Sequence, residues 1–286
     1  MMNLPKLNYL TIDKILLEAL REDIPIEDIS TNAIISEESI GQVSLYAKED
    51  GIIAGLNIFE RIFKLLDFNT NITYYYKDGD KITKGKEIAL IEGKVRTLLT
   101  GERVALNYLQ RLSGIASYTR KMVESLNNKS IKIVDTRKTT PNMRILEKYA
   151  TKVGGGYNHR NNLSDGILLK DNHIAAAGSI KNAVEKAKKY SSFINKIELE
   201  VENLEMVKEA LEAKADIIML DNMSIDNIER AVKLINNQAE IECSGNITLE
   251  NIKDYSNLEI DYISTGAPTH SSKALDLSMK DLRVLK

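Results

Sequence analysis

Six short apolar runs in the later part of the chain each end in polar or charged residues. Amphipathic stretches with helical spacing separate these runs. The alternation predicts repeated β-α units, in which parallel strands are buried and their carboxyl ends gather at one mouth. The runs are residues 131–138, 165–173, 196–202, 215–222, 240–245 and 261–266. Because this gives about six or seven strands rather than eight, the pattern predicts a parallel α/β barrel that is open on one side.

Residues 1–112 lack this alternation and predict a separate domain. Apolar residues recur at helical spacing from Ile12 to Leu20. Residues 41–55 and 72–95 instead show strand–turn–strand patterns, with glycines at the turns. Together these segments predict an N-terminal α/β sandwich domain.

Domain boundaries follow from the same pattern, since no low-complexity linker separates the two regions. From about residue 97, two helical stretches follow each other, with a predicted break near Ser113-Gly114. We therefore predict the sandwich domain over residues 1–112 and the open barrel over residues 113–267. Residues 268–286 predict a C-terminal helix that packs back on the first domain.

Composition narrows the class of protein. The 286 residues are 43% hydrophobic and 28% charged, as in an ordinary soluble globular protein. Apolar runs are shorter than the roughly 20 residues of a membrane-spanning helix, and the first residues lack a signal-peptide pattern. The net charge of −2 favours neither nucleic acid nor a membrane as partner, and the single cysteine, Cys243, excludes an internal disulfide framework. These features predict a cytoplasmic protein.

The predicted strand ends carry charged residues of both signs. They deliver Arg137, Lys138, Lys170, Glu200, Asp221, Ser244 and Gly266 to the mouth of the barrel. Cations suit an anionic substrate, and carboxylates at the same mouth suit a metal ion. This combination is the main reason to interpret the chain as an enzyme.

A basic segment surrounds the first strand end. Residues 131–173 hold eight Lys or Arg against four Asp or Glu. Within the motif at 135–141, Arg137 offers a planar fork for a carboxylate and Lys138 a point charge for a phosphate. On spacing alone, a loop with a solvated Arg-Lys pair explains this motif as well as an anion site does.

A run of three glycines at residues 154–156 is more specific. Such a run is unfavourable in conformational entropy unless the backbone needs unusual torsions or approaches a ligand closely. His159 and Arg160 follow at once, and we predict that both contact the substrate. His173, at the end of the next strand, is interpreted as a structural residue.

Alternating acidic residues point to a metal ion. Glu198, Glu200 and Glu202 alternate with apolar residues, so a strand directs all three carboxylates to one side. Asp221 ends the following strand. Mg²⁺ prefers a few carboxylates plus substrate phosphates, so we predict Mg²⁺ as the cofactor and Glu200 and Asp221 as its ligands.

The last two predicted strands end in small residues. Ser244-Gly245-Asn246 follows one strand, and residues 265–270 follow the next. Barrels often place a phosphate site in the loops after their last strands, and small residues let backbone N–H groups approach the phosphate. Ordinary turns have the same composition, but two such loops in the expected order favour a phosphate site.

Jointly these motifs resemble those of the quinolinate phosphoribosyltransferase family, the carboxylating nicotinate-nucleotide pyrophosphorylases. The matching stretches span nearly the whole chain in order. They are EDIPIEDISTNA (22–33), TGERVALNYLQRLSGIAS (100–117), DTRKTTPNMRILEKYAT (135–151), GGGYNHRNNLSDGILLKDNH (154–173), ELEVENL (198–204), MLDNM (219–223), ECSGNIT (242–248) and STGAPTHSS (264–272). Asn142 stands where glycine is expected, and Asn246 where some members carry glycine.

The resemblance implies a fold, a reaction and partners. It implies a homodimer in which each chain has an α/β sandwich domain and an open barrel of about seven strands. It also implies that quinolinate and phosphoribosyl pyrophosphate react, with Mg²⁺, to give nicotinate mononucleotide, pyrophosphate and CO₂. This is a step of NAD biosynthesis.

By position, the resemblance also assigns substrate-binding residues. Those for quinolinate are Arg137, His159, Arg160 and Lys170, with Arg103 contributed by the partner subunit. Those for the phosphoribosyl donor and the metal are Lys138, Glu200, Asp221, Ser244, Gly245, Asn246, Thr265, Gly266, Ala267 and His270. Thr136 is included as a further substrate-binding residue, and Lys138, Glu200 and Asp221 are the catalytic candidates.

Three other interpretations remain open from the sequence. Lys170 at a barrel strand end is compatible with a Schiff-base aldolase. A paralogue of the same fold with a different acceptor would share most of the motifs. The hairpin at 78–93 is similar to biotinyl or lipoyl carrier domains, although its lysines are spread through the turns rather than placed at one tip.

Overall fold

The computed structural model describes residues 6–285 as a mixture of helices and strands. The helices are α1 (Tyr9–Asp23), α2 (Ile29–Ile34), α3 (Leu56–Leu66), α4 (Val95–Leu126), α5 (Arg144–Gly154), α6 (Asp171–Ala177), α7 (Ile180–Tyr190), α8 (Leu204–Glu212), α9 (Ile225–Ile235) and α10 (Ala267–His270). The strands are β1 (Ile40–Ala47), β2 (Gly51–Ile52), β3 (Asn71–Tyr74), β4 (Lys81–Ile82), β5 (Glu87–Lys94), β6 (Lys132–Val134), β7 (Ile167–Leu169), β8 (Ile197–Val201), β9 (Ile217–Asp221), β10 (Glu240–Ser244), β11 (Tyr262–Ser264) and β12 (Leu277–Val284). Within residues 6–285, no helix has both the length and the apolar character needed to cross a membrane.

Two compact units make up the described chain, and each is built from separated segments. The first comprises residues 6–120, 140–155 and 271–285, and the second comprises residues 121–139 and 156–270. The predicted boundaries at 112 and 267 treated each domain as one continuous segment. Residues 140–155, which we predicted in the barrel domain, belong instead to the first unit.

The first unit contains a four-stranded antiparallel sheet in the order β12-β1-β5-β3. Helix α3 packs through Ile58, Phe59, Ile62 and Phe63, which are all fully buried. Their spacing places them on one stripe of the helix. The rings of Phe59 and Phe63 meet edge to face, with centroids 5.1 Å apart. An α/β N-terminal unit is therefore confirmed.

The C-terminal segment is a strand, so the predicted helix over 268–286 is wrong for most of its length. Only the short α10 precedes strand β12, which pairs antiparallel with β1 through Leu277 to Ala47 and Met279 to Leu45. Leu277 and Met279 are buried and flank the half-exposed Ser278. This period of two is that of a strand with one face on a core.

Helix α4 is continuous through the predicted break at Ser113-Gly114, so that prediction is also wrong. Ser113 Oγ accepts a hydrogen bond from the backbone N–H of Ala54 at 3.0 Å. A Cβ on Gly114 would lie 2.1 Å from the carbonyl oxygen of Lys273. These small residues therefore allow neighbouring backbone to approach the helix, and they do not interrupt it.

We expect Gly114→Ala to lower the free energy of unfolding by about 2–3 kcal/mol, because the added methyl overlaps the Lys273 carbonyl. At an open helix position the same change would stabilise by up to about 1 kcal/mol. Chemical denaturation tests the sign, with Gly166→Ala as control, since a Cβ there meets nothing within 4 Å. A Gly114→Ala variant as stable as the parent would contradict the expectation.

A parallel sheet in the order β6-β11-β10-β9-β8-β7 forms the second unit. Helices α7, α8 and α9 connect its strands along the chain. Tyr157 adds a single parallel bridge to Val134 beyond β6, with the Tyr157 N–H donating to the Ile133 carbonyl at 2.8 Å. Within residues 6–285, β7 does not pair with this bridge or with β6. The predicted open barrel of about seven strands is thus confirmed as six strands plus the bridge at Tyr157.

Candidate functional site

A cavity of about 520 Å³ lies at the carboxyl ends of the parallel strands in the second unit. Of the predicted site residues, it is lined by Thr136, Arg137, Lys138, His159, Arg160, Lys170, Glu200, Asp221, Ser244, Gly245, Asn246, Thr265, Gly266, Ala267 and His270. Arg103 lies in α4, in the first unit, and is exposed. The lining also contains Leu168, Met219, Asn222, Glu242, Ile247, Thr248 and Ser264.

Strand register explains why residues far apart in sequence meet at this cavity. Asp221, the last residue of β9, pairs with Ser244, the last residue of β10. Glu200 of β8 pairs with Met219 of β9 in the same direction. Since neighbouring strands are parallel, their carboxyl ends lie side by side and present successive side chains to one space.

One wall of the cavity is cationic. Burial and the neighbouring charge of Arg137 both lower the pKa of Arg160 from its ordinary value. The Arg160 Nη1 donates to the Gly166 carbonyl at 3.1 Å. The Lys138 carbonyl accepts from Thr269 Oγ1 at 2.7 Å, which ties the basic loop to α10. Two neighbouring cations repel each other, and a bound anion would offset this repulsion, so the wall favours an anionic ligand.

Lys170 and Glu200 form an ion pair at the edge of the cavity. The Lys170 side chain is 44% exposed and that of Glu200 is 13% exposed. The Lys170 backbone N–H donates to His173 Nδ1 at 3.0 Å. The His173 side chain therefore caps the start of α6, which agrees with the prediction that it is a structural residue. An ammonium group engaged by a carboxylate has no free lone pair for attack, which counts against a Schiff-base lysine.

Beneath the cavity, His159 contacts two buried glutamates. Its Nε2 lies 3.1 Å from a Glu198 carboxylate oxygen and 3.6 Å from one of Glu242. Burial first, and then the charge of Glu198, raise the pKa of Glu242 to about 8. Asp135, also buried, anchors this segment by accepting from the His159 backbone N–H at 2.9 Å. Glu198 therefore faces the interior and not the mouth.

Within residues 6–285, two groups of side chains at or beneath this cavity offer atoms of the kind that bind a metal ion. The first is His159, Glu198 and Glu242, whose ligand atoms lie within 4.8 Å of one another. However, His159 Nδ1 accepts a hydrogen bond from the Arg160 backbone N–H at 2.7 Å, which assigns the ring proton to Nε2. Nε2 is then a donor to Glu198 and offers no lone pair to a metal. The second group is the predicted pair, Glu200 and Asp221, which both line the cavity.

The loop after β11 is closely packed. A Cβ on Gly266 would lie 2.7 Å from the His270 ring, so a larger residue there would require that ring to move. Thr265 Oγ1 accepts from the Ala267 N–H at 3.1 Å and donates to the Ile247 carbonyl at 2.6 Å. This second bond joins the loop after β11 to the loop after β10, which are the two loops predicted to bind phosphate.

Several site residues were missed from the sequence. Glu242 alternates with Glu240 in the same way as the glutamates of β8, and that signal could have placed it in the barrel interior. Asn222 and Asp135 carried no such signal, because Asn and Asp are ordinary residues at strand ends. Glu202, grouped with Glu198 and Glu200 in the sequence, lies exposed beyond the end of β8.

Comparison with protein families gives two adjoining matches. Residues 28–113 match the model of the N-terminal domain of quinolinate phosphoribosyl transferase, and residues 115–280 match that of its C-terminal domain. Together these matches cover most of the chain.

Individual relatives agree along nearly their full length. A probable carboxylating nicotinate-nucleotide pyrophosphorylase of Bacillus subtilis is 46% identical over 273 residues, which cover 96% of this chain and 94% of the relative. The chain in the crystal structure of NadC from Streptococcus pyogenes is 53% identical in sequence to this one. The two structures superpose with a TM-score of 0.96 over 99% of this chain and 100% of that one. The nicotinate-nucleotide pyrophosphorylase of Francisella tularensis is 39% identical, with a TM-score of 0.91 and 98% coverage of both chains.

Proposed function

This chain belongs to the quinolinate phosphoribosyltransferase family, and from that premise we propose that it transfers phosphoribosyl from phosphoribosyl pyrophosphate to quinolinate. The products are nicotinate mononucleotide, pyrophosphate and CO₂. One observation supports this function most directly. A single cavity is lined by Arg137, Lys138, Arg160 and Lys170 together with the carboxylates of Glu200 and Asp221.

Quinolinate is a dianion, so a pocket that excludes water must supply fixed cations for both carboxylates. Arg137, Arg160 and Lys170 provide them at the cavity wall. We also assign His159 to this acceptor site. In the structure, its ring nitrogens already engage Glu198 and the Arg160 backbone, which fixes the ring beside Arg160.

The phosphoribosyl donor takes the remaining part of the cavity. The loops at 244–246 and 265–267 supply backbone N–H groups to its phosphates, with Lys138 and His270 nearby. The donor set fits Mg²⁺, since the carboxylates of Glu200 and Asp221 line the same cavity as these loops. When bound, Mg²⁺ would neutralise charge on the diphosphate. A quinolinate carboxylate at Lys170 and the ion at Glu200 would together replace the present ion pair.

Chemistry at this site follows from the charges that develop. The C1′–O bond to pyrophosphate breaks with its electron pair leaving on oxygen, and the ribose becomes oxocarbenium-like. Glu200 and Asp221 stabilise this positive charge electrostatically, as carboxylates do in sugar-transfer sites. The quinolinate nitrogen then bonds to C1′ and becomes cationic. It draws the electron pair of the C2 carboxylate bond as CO₂ departs, and C2 takes up a proton.

Two other functions receive less support. For an aldolase that uses Lys170, borohydride trapping with a carbonyl substrate should give a covalent adduct at that residue, and we expect none because Lys170 is paired with Glu200. A carrier role for the hairpin at 78–93 is disfavoured because Asp78 is built into the first unit. Its carboxylate accepts from the Gly55 and Leu56 backbone N–H groups and from the Tyr149 hydroxyl.

We expect the enzyme to use quinolinate and to reject nicotinate, with kcat/KM lower by about 1,000-fold or more for nicotinate. The cavity has more cations than one carboxylate requires, and a monoacid leaves at least one of these cations without its carboxylate partner. The measurement is nicotinate mononucleotide formation from each acid, with nicotinamide as a further control. Comparable turnover of nicotinate would instead support a paralogue with a different acceptor.

We further propose that the protein acts as a homodimer with shared active sites. The resemblance places Arg103 in the quinolinate site of the partner subunit. In this chain Arg103 is an exposed residue of the first unit, and the predicted quinolinate residues of the cavity all belong to the second unit.

A further inference from the structure

Two asparagines with left-handed backbone stand at the ends of β9 and β10. Asn222 has a φ of 52° and Asn246 a φ of 50°, and both line the cavity. Asparagine tolerates this conformation better than other residues with a side chain, apart from aspartate. At both positions the backbone conformation therefore accepts few residue types, and asparagine supplies a side-chain amide there.

The Asn222 amide bridges two parts of the proposed donor site. Its Nδ2 donates to Asp221 Oδ2 at 2.7 Å, and its Oδ1 accepts from Asn246 Nδ2 at 3.0 Å. These partners assign the amide orientation, since a flipped Asn222 would set its oxygen against a carboxylate. One side chain thus contacts both a proposed metal ligand and the loop proposed to bind phosphate.

Backbone packing reinforces this bridge. The Asn222 N–H donates to the Ser244 carbonyl at 2.9 Å. A Cβ on Gly245 would lie 2.3 Å from Asn222 Oδ1 and 2.7 Å from the Asn222 nitrogen. The Asn246 carbonyl in turn accepts from Asn251 Nδ2 at 3.0 Å. The loop at 244–246 therefore packs against Asn222 on one side and is hydrogen-bonded to Asn251 on the other.

We propose that Asn222 is a positioning residue that holds the Asp221 carboxylate and the 244–246 loop at a fixed spacing. This inference rests on the proposed function, in which Asp221 binds the metal and the loop binds the phosphoribosyl donor. The hydrogen bond from Asn222 to Oδ2 fixes the Asp221 carboxylate at the wall of the cavity. Asn222 itself takes no part in bond making or breaking.

Two variants separate the amide from the backbone. Asn222→Gly removes the amide while keeping a residue that accepts positive φ, and Asn222→Asp keeps the shape but places a second carboxylate beside Asp221. We expect each to raise KM for phosphoribosyl pyrophosphate about tenfold, and to leave KM for quinolinate within about twofold. Asn236→Gly is the matched control, because Asn236 also has a left-handed φ of 43° but ends α9 and does not line the cavity.

Calorimetric binding of Mn²⁺ with inorganic pyrophosphate gives a readout that needs no turnover. We expect affinity to fall about tenfold in Asn222→Gly and to stay at the parent value in Asn236→Gly. An active parent whose Asn222→Gly variant keeps parental KM and parental Mn²⁺–pyrophosphate affinity would overturn the positioning role alone. A parent that neither turns over quinolinate nor binds Mn²⁺–pyrophosphate would overturn the proposed function, and this inference with it.

Discussion

Glu200→Gln and Asp221→Asn should each lower kcat by about 100-fold or more while changing the dissociation constant of quinolinate by less than about threefold. Both carboxylates are assigned to the metal and to the sugar cation, and these interactions strengthen as the transition state forms. Removing a carboxylate charge while keeping its shape therefore affects turnover more than ground-state binding. Steady-state kinetics and calorimetric titration with quinolinate give the two quantities separately.

Glu202→Gln is the matched control for these variants. Glu202 belongs to the same alternating acidic run but is exposed beyond the end of β8 and does not line the cavity. We expect it to keep parental kcat. If Glu200→Gln instead weakens quinolinate binding at unchanged kcat, the main role of Glu200 is to hold Lys170 in place through their ion pair.

The barrel and its mouth could be predicted because parallel strands leave a strong sequence signal. Each buried strand appears as an apolar run, and its carboxyl end is marked where polar residues begin. Asp221 and Ser244 illustrate this, since each is the last residue of its strand and the two are paired in register. The predicted carboxyl end of each strand was therefore enough to place these two residues in the cavity.

Features that depend on contacts distant in sequence could not be predicted in this way. Gly114 suggested a helix break, whereas it is glycine because the Lys273 carbonyl lies where a Cβ would be. In the C-terminal segment, the stretch with a period of two is too short to distinguish a strand from a helix. Its pairing with β1, which is distant in sequence, makes it a strand. The alternation of Glu242 with Glu240 could have placed it in the interior, but its raised pKa could not be predicted, because that depends on burial and on the charge of Glu198 on another strand.

The last expected result concerns two inactive variants that restore activity to each other. Arg103→Ala and Lys170→Ala should each be nearly inactive as pure homodimers, since in the proposed dimer each change removes a cation from both quinolinate sites. In a mixed dimer, one site takes Lys170 from the first variant and Arg103 from the second, and it is intact. Random exchange of equal amounts makes half the dimers mixed, each with one intact site of two, so about a quarter of parental activity should return.

A second mixture shows whether recovery comes from sharing. Arg103→Ala combined with the double variant Arg103→Ala/Lys170→Ala contains no intact Arg103, so it should stay inactive at the same degree of subunit exchange. Mass spectrometry of differently labelled subunits measures that exchange. If the first mixture exchanges fully and still gives no activity, Arg103 acts in the site of its own chain or in no site. Recovery in the first mixture but not in the second would place Arg103 of one subunit in the quinolinate site of the other.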